Sequence, residues 1–324
     1  MQRWAWRVTI ACLLLVLYAL IGLGGLAREF HRPGPAIAAI TLVVPAGSGA
    51  RAIAAALRDA VVLRRAWAFL AAAAWFGVAD KLKAGEYRFP AALTPRDALA
   101  MLVAGQTLVR RITVPEGLTV RQIIALLEAA EGLVGEVAPT PEEGSLLPDI
   151  YGYSRGESRA ALLRRMNQAM RQALDELWPQ RQEGLPFSDP REALTLASIV
   201  EKETARPSER AVVAGVFVNR LRRGMRLQAD PTVAYAVSQC QGTMSRPLAR
   251  ADLDHPSPYN TYVVPGLPPG PIANPGREAI AAALRPAPVR YLYFVADGQG
   301  GHAFAESYAE HRQNVERWRR LNQD

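Results

Sequence analysis

The sequence predicts an α+β protein: a single amino-terminal transmembrane helix, then a small α+β domain, then a larger α+β domain. Three observations predict it. An apolar run of about 20 residues lies near the amino terminus. A strand–turn–helix pattern occurs twice, 70 residues apart. Beyond residue 150, amphipathic helices alternate with loops rich in Pro and Gly.

The apolar run extends from Val8 to Ala27, relieved only by Thr9, Tyr18 and glycines, and is long enough for one helical crossing of a bilayer. It exceeds the usual core of a cleaved signal peptide, and Leu26-Ala27-Arg28-Glu29-Phe30 is a poor small-residue cleavage site, so an uncleaved anchor is expected over residues 1–27. Arg3 and Arg7 precede the run while Arg28, Glu29 and Arg32 follow it, a weak charge bias when counted alone. Residues 28–40, with Arg32-Pro33-Gly34-Pro35, read as an extended linker. The next apolar stretch, Ala66 to Val78, is too short to span and is expected to be a buried helix.

The repeat occupies residues 41–136. Val44-Pro45-Ala46-Gly47 leads to Arg51, Ile53 and Leu57, and Val114-Pro115-Glu116-Gly117 leads to Arg121, Ile123 and Leu127. Each copy predicts a short β-branched strand (Thr41 to Val44; Ile112 to Val114), a Pro-x-Gly turn and a helix. Between them, Lys83 to Phe89 is hairpin-like. Residues 137–148, with three prolines, two glutamates and Gly144, break regular structure and suggest a linker before a second domain over 149–324.

Of 324 residues, 50% are hydrophobic and 21% charged, which excludes global disorder. The net charge of +8 suits anionic lipid, an acidic polymer or nucleic acid. Arginines dispersed through amphipathic helices, without an RNA-binding or zinc-finger motif, make nucleic acid the weakest of these. Cys12 lies in the anchor and Cys240 in the distal part, so no disulfide framework is expected. His31, His255, His302 and His311 form no close-spaced metal motif, the last two being read into a helical tail, and no metal or cofactor is expected. Ser198 lacks the flanking glycines of a nucleophile elbow.

Apolar spacing over Glu157 to Trp178 predicts an amphipathic helix. Asp189-Pro190-Arg191-Glu192 is a helix start, with Asp189 as N-cap, Pro190 at the first helical position and Glu192 three residues past the cap. On the helix that follows, Leu196, Ile199, Val200 and Glu203 share one face, while Glu201 turns away with Ser198 toward expected solvent. A carboxyl among apolar neighbours loses hydration, so Glu203 is expected to hold its proton more tightly than usual, as a general acid must. The competing reading is an ordinary ion pair of Glu203 with Arg206 or Arg210. A further helix runs from Pro207 to Arg223, with Val213, Val216, Phe217 and Leu221 inward and Gly224 as the stop.

Loop-like runs then follow, Met225 to Thr232 and Pro258 to Tyr262, dense in amides, hydroxyls, carboxylates and aromatic rings of the kind that contact sugars. Several ordered motifs stand together: Ala197-Ser198-Ile199-Val200-Glu201-Lys202-Glu203-Thr204, Phe217-Val218-Asn219-Arg220-Leu221, Gln228-Ala229-Asp230-Pro231-Thr232-Val233, Tyr259-Asn260-Thr261-Tyr262, Gly266-Leu267-Pro268-Pro269-Gly270-Pro271-Ile272 and Tyr291 to Gly298. In these the chain resembles the YceG-like family of endolytic murein transglycosylases over nearly its whole length. One departure is Leu147-Pro148-Asp149-Ile150, where the family often carries an aromatic before Pro-Asp and a Thr after it.

The resemblance implies that Glu203 is catalytic, that the repeat-bearing domain is LysM-like, and that a cytoplasmic amino terminus precedes a periplasmic body held at the inner membrane. It also implies a terminase of strand elongation acting near penicillin-binding proteins. The expected chemistry is cleavage of the MurNAc-GlcNAc bond of peptidoglycan glycan strands by one carboxyl, leaving a 1,6-anhydro end. Asn219, Gln228, Asp230, Tyr259 and Asn260 are candidates for substrate positioning or for fixing loops, and Asp230 before Pro231 equally suits a turn. Two alternatives stand beside this reading: a muramidase with Asp230 as second carboxylate, and a non-catalytic, membrane-tethered, glycan-binding scaffold.

Overall fold

The computed structural model describes residues 2–239, 241, 244 and 246–321, so the expectation for Cys240 falls outside the described residues. In chain order the elements are α1 (Gln2–Phe30), β1 (Ile40–Val44), α2 (Ala50–Asp59), α3 (Ala66–Trp75), β2 (Gly85–Phe89), α4 (Pro95–Ala104), β3 (Arg110–Thr113), α5 (Val120–Ala129) and β4 (Ile150–Tyr153). Then come α6 (Arg159–Leu177), α7 (Pro190–Glu203), α8 (Pro207–Arg222), α9 (Asp230–Val237), α10 (Arg277–Leu284), β5 (Tyr293–Ala296), β6 (His302–Ala305) and α11 (Tyr308–Leu321). The chain is thus mixed α+β and, among the described residues, has one helix long and apolar enough to cross a membrane by length and composition, over Cys12–Phe30.

Contacts divide the chain into two compact units, the first comprising residues 1–110 with 154–156 and the second the remainder. This division falls at Arg110 instead of in the Pro-rich 137–148 run. The physical reason is that Leu146, inside that run, is buried in a core with Val114, Ile123, Tyr151, Leu162 and Met166, which ties both sides of the run together.

In the first unit β1 and β2 pair antiparallel, from Ile40 opposite Phe89 to Val44 opposite Gly85. Within 83–89, residues 85–89 therefore form a single strand paired with β1, and the hairpin expected there does not form. Alternation along β2 sends Tyr87 and Phe89 into the core, stacked at 5.7 Å, against Ile53, Leu57, Phe69 and Leu102. Glu86, buried on the same strand, accepts two bonds from the Arg110 guanidinium at 2.8 and 3.0 Å, and these hold its carboxyl below the ordinary range. A second correction concerns α3: Ala68, Phe69, Ala72 and Ala73 are buried, but Trp67, Trp75 and Phe76 lie exposed, so the expected buried helix is covered on one side only.

Both copies of the sequence repeat take the expected form. Gly47 and Gly117 adopt φ of 79° and 75°, a conformation natural to glycine, and Ile53, Leu57, Ile123 and Leu127 are all buried. The first copy belongs to the first unit and the second copy to the second unit.

In the second unit the capping box at α7 forms as expected, with Asp189 accepting from the Glu192 backbone and Glu192 from that of Asp189. Residues Ala193 to Val200 are all buried, because α8, α9 and α10 pack around α7. The helix spacing expected for α6 and α8 also holds, and Gly224 follows α8 with φ of 65°. The loop expected through Asp230 is instead the start of α9, with Asp230 in its first turn, where a carboxylate favours the helix dipole. His302 lies on β6, not in the expected helical tail, and His311 on α11.

Candidate active site

Glu203 is the last residue of α7, since Thr204 and Arg206 are extended and Pro207 opens α8. Among the described residues its carboxyl takes no hydrogen bond and no ion pair, and it keeps part of its surface open. Burial pushes its pKa up to about 8, the nearby Asp230 carboxylate adds to the rise, and the Arg220 guanidinium opposes it. The negative end of the α7 dipole acts in the same direction as burial. The ion pairs weighed for Glu203 go elsewhere: Arg210 bonds Glu116 and Glu201, and Arg206 pairs with Glu209.

Glu201 and Ser198 do not face solvent, which corrects the expectation from helix geometry alone. The Glu201 carboxylate is buried, accepts from the Gly276 backbone at 2.8 Å and meets Arg210 at 3.3 Å. Burial raises its proton affinity, and these partners pull it back. Ser198 Oγ accepts from the Ile272 backbone at 3.0 Å and donates to the Thr195 carbonyl at 2.7 Å. The loop over 271–276 covers the side of α7 that a two-faced helix would have left wet, so both polar groups serve to fasten it.

The two motif loops are stitched together by buried hydroxyls. Thr261 Oγ1 accepts from the Ala229 backbone at 3.0 Å and lies 2.8 Å from Thr232 Oγ1, while Gln228 donates its backbone N–H to the Thr261 carbonyl. Gln228 adopts φ of 49°, a left-handed conformation that costs a non-glycine residue on the order of 1–3 kcal/mol and that this network holds in place. The result sets Asp230 against Tyr262, whose hydroxyl donates to Asp230 Oδ1 at 2.6 Å. Burial and that bond raise the Tyr262 pKa, with the Asp230 and Glu203 charges adding to the rise, so the phenol stays a donor.

The structure separates the residues expected from sequence. Asp230 stands close enough to Glu203 to shift its proton, and Gln228, exposed, is two residues away in the same turn. Tyr259 is half-buried with its ring 5.1 Å from that of Tyr235. Asn219 instead donates to the Val289 and Tyr291 carbonyls. Asn260 is fully buried, donating to the Leu253 and His255 carbonyls and accepting from the Tyr262 backbone. Both asparagines hold backbone, as their loop-fixing alternative allowed.

Arg220, Tyr262 and Tyr293 are the neighbours that sequence reasoning passed over. The buried Arg220 donates to the Leu292, Arg226 and Leu227 carbonyls, with its guanidinium 5.3 Å from the Tyr293 ring centre. His311 stacks on the same ring at 5.2 Å, and burial followed by the Arg220 charge lowers its proton affinity. Arg220 falls at helical spacing from Val213, Val216 and Phe217, so the stripe rule applied to Glu203 also finds it. A groove of about 500 Å³ elsewhere on this unit, lined in part by Pro139, Arg164, Asn167 and Arg171, does not include Glu203.

Comparison with known proteins places this geometry in context. The family described as YceG-like matches residues 42–317. An endolytic murein transglycosylase of Bacillus subtilis (strain 168) is 29% identical over 315 residues, covering 86% of this chain and 84% of its own length. An endolytic murein transglycosylase of Streptococcus pneumoniae serotype 2 is 30% identical over 325 residues, which are 85% of this chain but only 58% of that longer relative. The crystal structure of a YceG-like protein from Listeria monocytogenes superposes with a TM-score of 0.53 at 30% identity, covering 85% of this chain and 98% of that one. With its motifs in order and a match from the first strand to the last helix, the chain belongs to the YceG-like family.

Proposed function

We propose that this protein is an endolytic peptidoglycan lytic transglycosylase that cleaves the β-1,4 bond between MurNAc and GlcNAc, with Glu203 as its only general acid and base. The observation that carries this reading is a carboxyl at the end of α7, with no hydrogen-bond partner among the described residues and a pKa lifted to about 8. Such a group is protonated at neutral pH and has an open side from which to deliver the proton. The names of the B. subtilis and S. pneumoniae relatives support the substrate class.

In the proposed reaction Glu203 gives its proton to the glycosidic oxygen, and the bond from that oxygen to C1 of MurNAc breaks. The Asp230 carboxylate, oriented by Tyr262, stabilises the positive charge that builds at C1. The C6 hydroxyl of the same sugar then attacks C1, and the Glu203 carboxylate takes its proton, which regenerates the acid and leaves a 1,6-anhydro end. Because the nucleophile is part of the substrate, no water need be positioned. Gln228 and Tyr259 border the site as sugar contacts, and Asn219 and Asn260 fix the loops around it.

The wider setting follows the same reading. The apolar helix α1 anchors the chain in the inner membrane, with the amino terminus cytoplasmic and the remainder periplasmic. The strand–turn–helix form of both copies supports LysM-like structure over residues 41–136, after a linker at 28–40 and ahead of a catalytic domain over 149–324, with the 137–148 run packed through Leu146 into the core it shares with the second copy. Cleavage of nascent strands beside penicillin-binding proteins makes the enzyme a terminase of elongation.

The closeness of Asp230 to Glu203 favours one rival, a two-carboxylate muramidase in which water attacks. Mass spectrometry of glycan fragments released by the purified protein separates the readings. Anhydro ends from the wild type, lost in a folded Glu203→Gln variant, support the lytic reaction. Reducing ends indicate hydrolysis, and absence of fragments indicates a scaffold.

A further inference from the structure

From Ala66 to Ala79 the chain carries no charged side chain, and its only polar side-chain groups are the indole N–H groups of Trp67 and Trp75. A helix apolar on every side is ordinarily enclosed on every side. Yet α3 buries only the face of Ala68, Phe69, Ala72 and Ala73, and leaves Trp67, Trp75 and Phe76 exposed by 46%, 72% and 58%. Such an apolar face implies a covering that the folded unit does not itself supply.

The surroundings of α3 indicate what covers it. This helix packs on the carboxyl-terminal end of α1, with the Phe76 ring 5.9 Å from that of Phe30. A groove of about 560 Å³ there is lined by Leu23, Leu26 and Phe30 of α1, by Trp75 and Phe76, and by Arg96. The seven steps from Leu23 to Phe30 rise about 10 Å along a helix, comparable with the headgroup layer that separates the hydrocarbon core from water, roughly 5–8 Å deep. Trp75 and Phe76 therefore lie at the level where the membrane-spanning part of α1 ends, the depth at which tryptophan is enriched. Exposed Arg64 and Arg65 precede α3, Lys81 and Lys83 follow it, and Arg28 and Arg32 close α1, so cations predominate around the aromatic face. That combination matches an anionic lipid surface.

We propose that the exposed carboxyl-terminal end of α3, with Trp75 and the Phe76 that follows it, inserts into the headgroup layer of an anionic bilayer, so that the first unit lies on the membrane as well as being tethered to it. This rests on the reading of α1 as a membrane span.

The test uses the full chain with Cys12→Ser and Cys240→Ser, carrying one fluorophore through Trp75→Cys, Leu17→Cys or Arg51→Cys. Each is reconstituted in vesicles of phosphatidylglycerol and phosphatidylethanolamine that contain nitroxide-bearing lipids. Quenching at position 75 is expected to approach that at position 17 and to exceed that at position 51 several-fold. Strong quenching at 17 with only the level of 51 at 75 overturns the proposal while leaving the anchor in place. Protection of position 75 from aqueous iodide without quenching by lipid also overturns it, by assigning the face to a protein partner. Absence of quenching at 17 removes the anchor reading, and the proposal with it.

Discussion

Tyr262 donates its hydroxyl to Asp230 at 2.6 Å, and the charge on Asp230 in turn raises the proton affinity of Glu203. The exposed carboxylate thus acts on the partner-poor one. Neither the acid strength of Glu203 nor the orientation of Asp230 is a property of one residue.

Glu203→Gln is expected to reduce glycan cleavage by on the order of 10²–10⁴-fold, the usual contribution of a positioned acid–base group. Wild-type activity should fall as pH rises through about 8, where Glu203 loses its proton. The unfolded chain releases that proton near the ordinary 4.5, so the native state binds more protons between these values and wild-type stability declines with rising pH across that window. Urea unfolding at pH 5 and pH 9 checks the sign: Glu203→Gln should flatten the decline and be relatively more stable at pH 9.

Asp230→Asn removes the charge that helps keep Glu203 protonated, so the alkaline limb of the pH–rate profile should move to lower pH. Tyr262→Phe keeps the charge but removes its donor. Loss of a hydrogen bond to a charged group, at about 1.5–3 kcal/mol, corresponds to a roughly 10- to 100-fold fall in kcat if it is felt in the transition state. Little change in melting temperature is expected for Asp230→Asn, because that side chain is exposed.

Arg220→Met leaves three backbone carbonyls without their donor and should cost on the order of 3 kcal/mol, measured as a lower urea midpoint. It also removes the positive charge that opposes protonation of Glu203, so whatever activity remains should hold to higher pH. Arg220→Lys retains charge but cannot reproduce the planar fork, and should recover the pH profile better than the stability.

Glu201→Ala is expected to destabilise the fold by about 3 kcal/mol, because it frees the Gly276 N–H and deprives Arg210 of one of its two carboxylates. Glu201→Gln, which keeps an acceptor, should cost less. Folded protein from either variant should retain cleavage activity, and a loss comparable with that of Glu203→Gln would contradict the division of roles between these two glutamates.

Much of the scaffold around the site was legible because its causes are local. Asp189 and Glu192 cap α7 across three residues, Gly224 follows α8 in a left-handed turn, and the apolar positions of the two repeat copies are buried as their spacing requires. The same periodicity singled out Glu203 but misjudged Ser198 and Glu201, since it assumes a helix with one dry face. Here α7 is enclosed, and the chain that encloses it at Ile272 and Gly276 lies more than 70 residues away in sequence. Asn260 was grouped with sugar-contacting residues for its chemistry, but its amide is occupied by the Leu253 and His255 carbonyls.

The sequence by itself determined the apolar segment, the capped helices, the repeat and the ordered motifs that mark the family, because each depends on neighbours within a few turns or on residue order alone. Only the tertiary structure decided which polar groups lose water and which partners they then find. That choice set Glu203 apart from Glu201, joined Tyr262 to Asp230 and left the aromatic face of α3 uncovered. Desolvation depends on every chain segment that closes over a group, and the segments that close over α7 are distant in sequence.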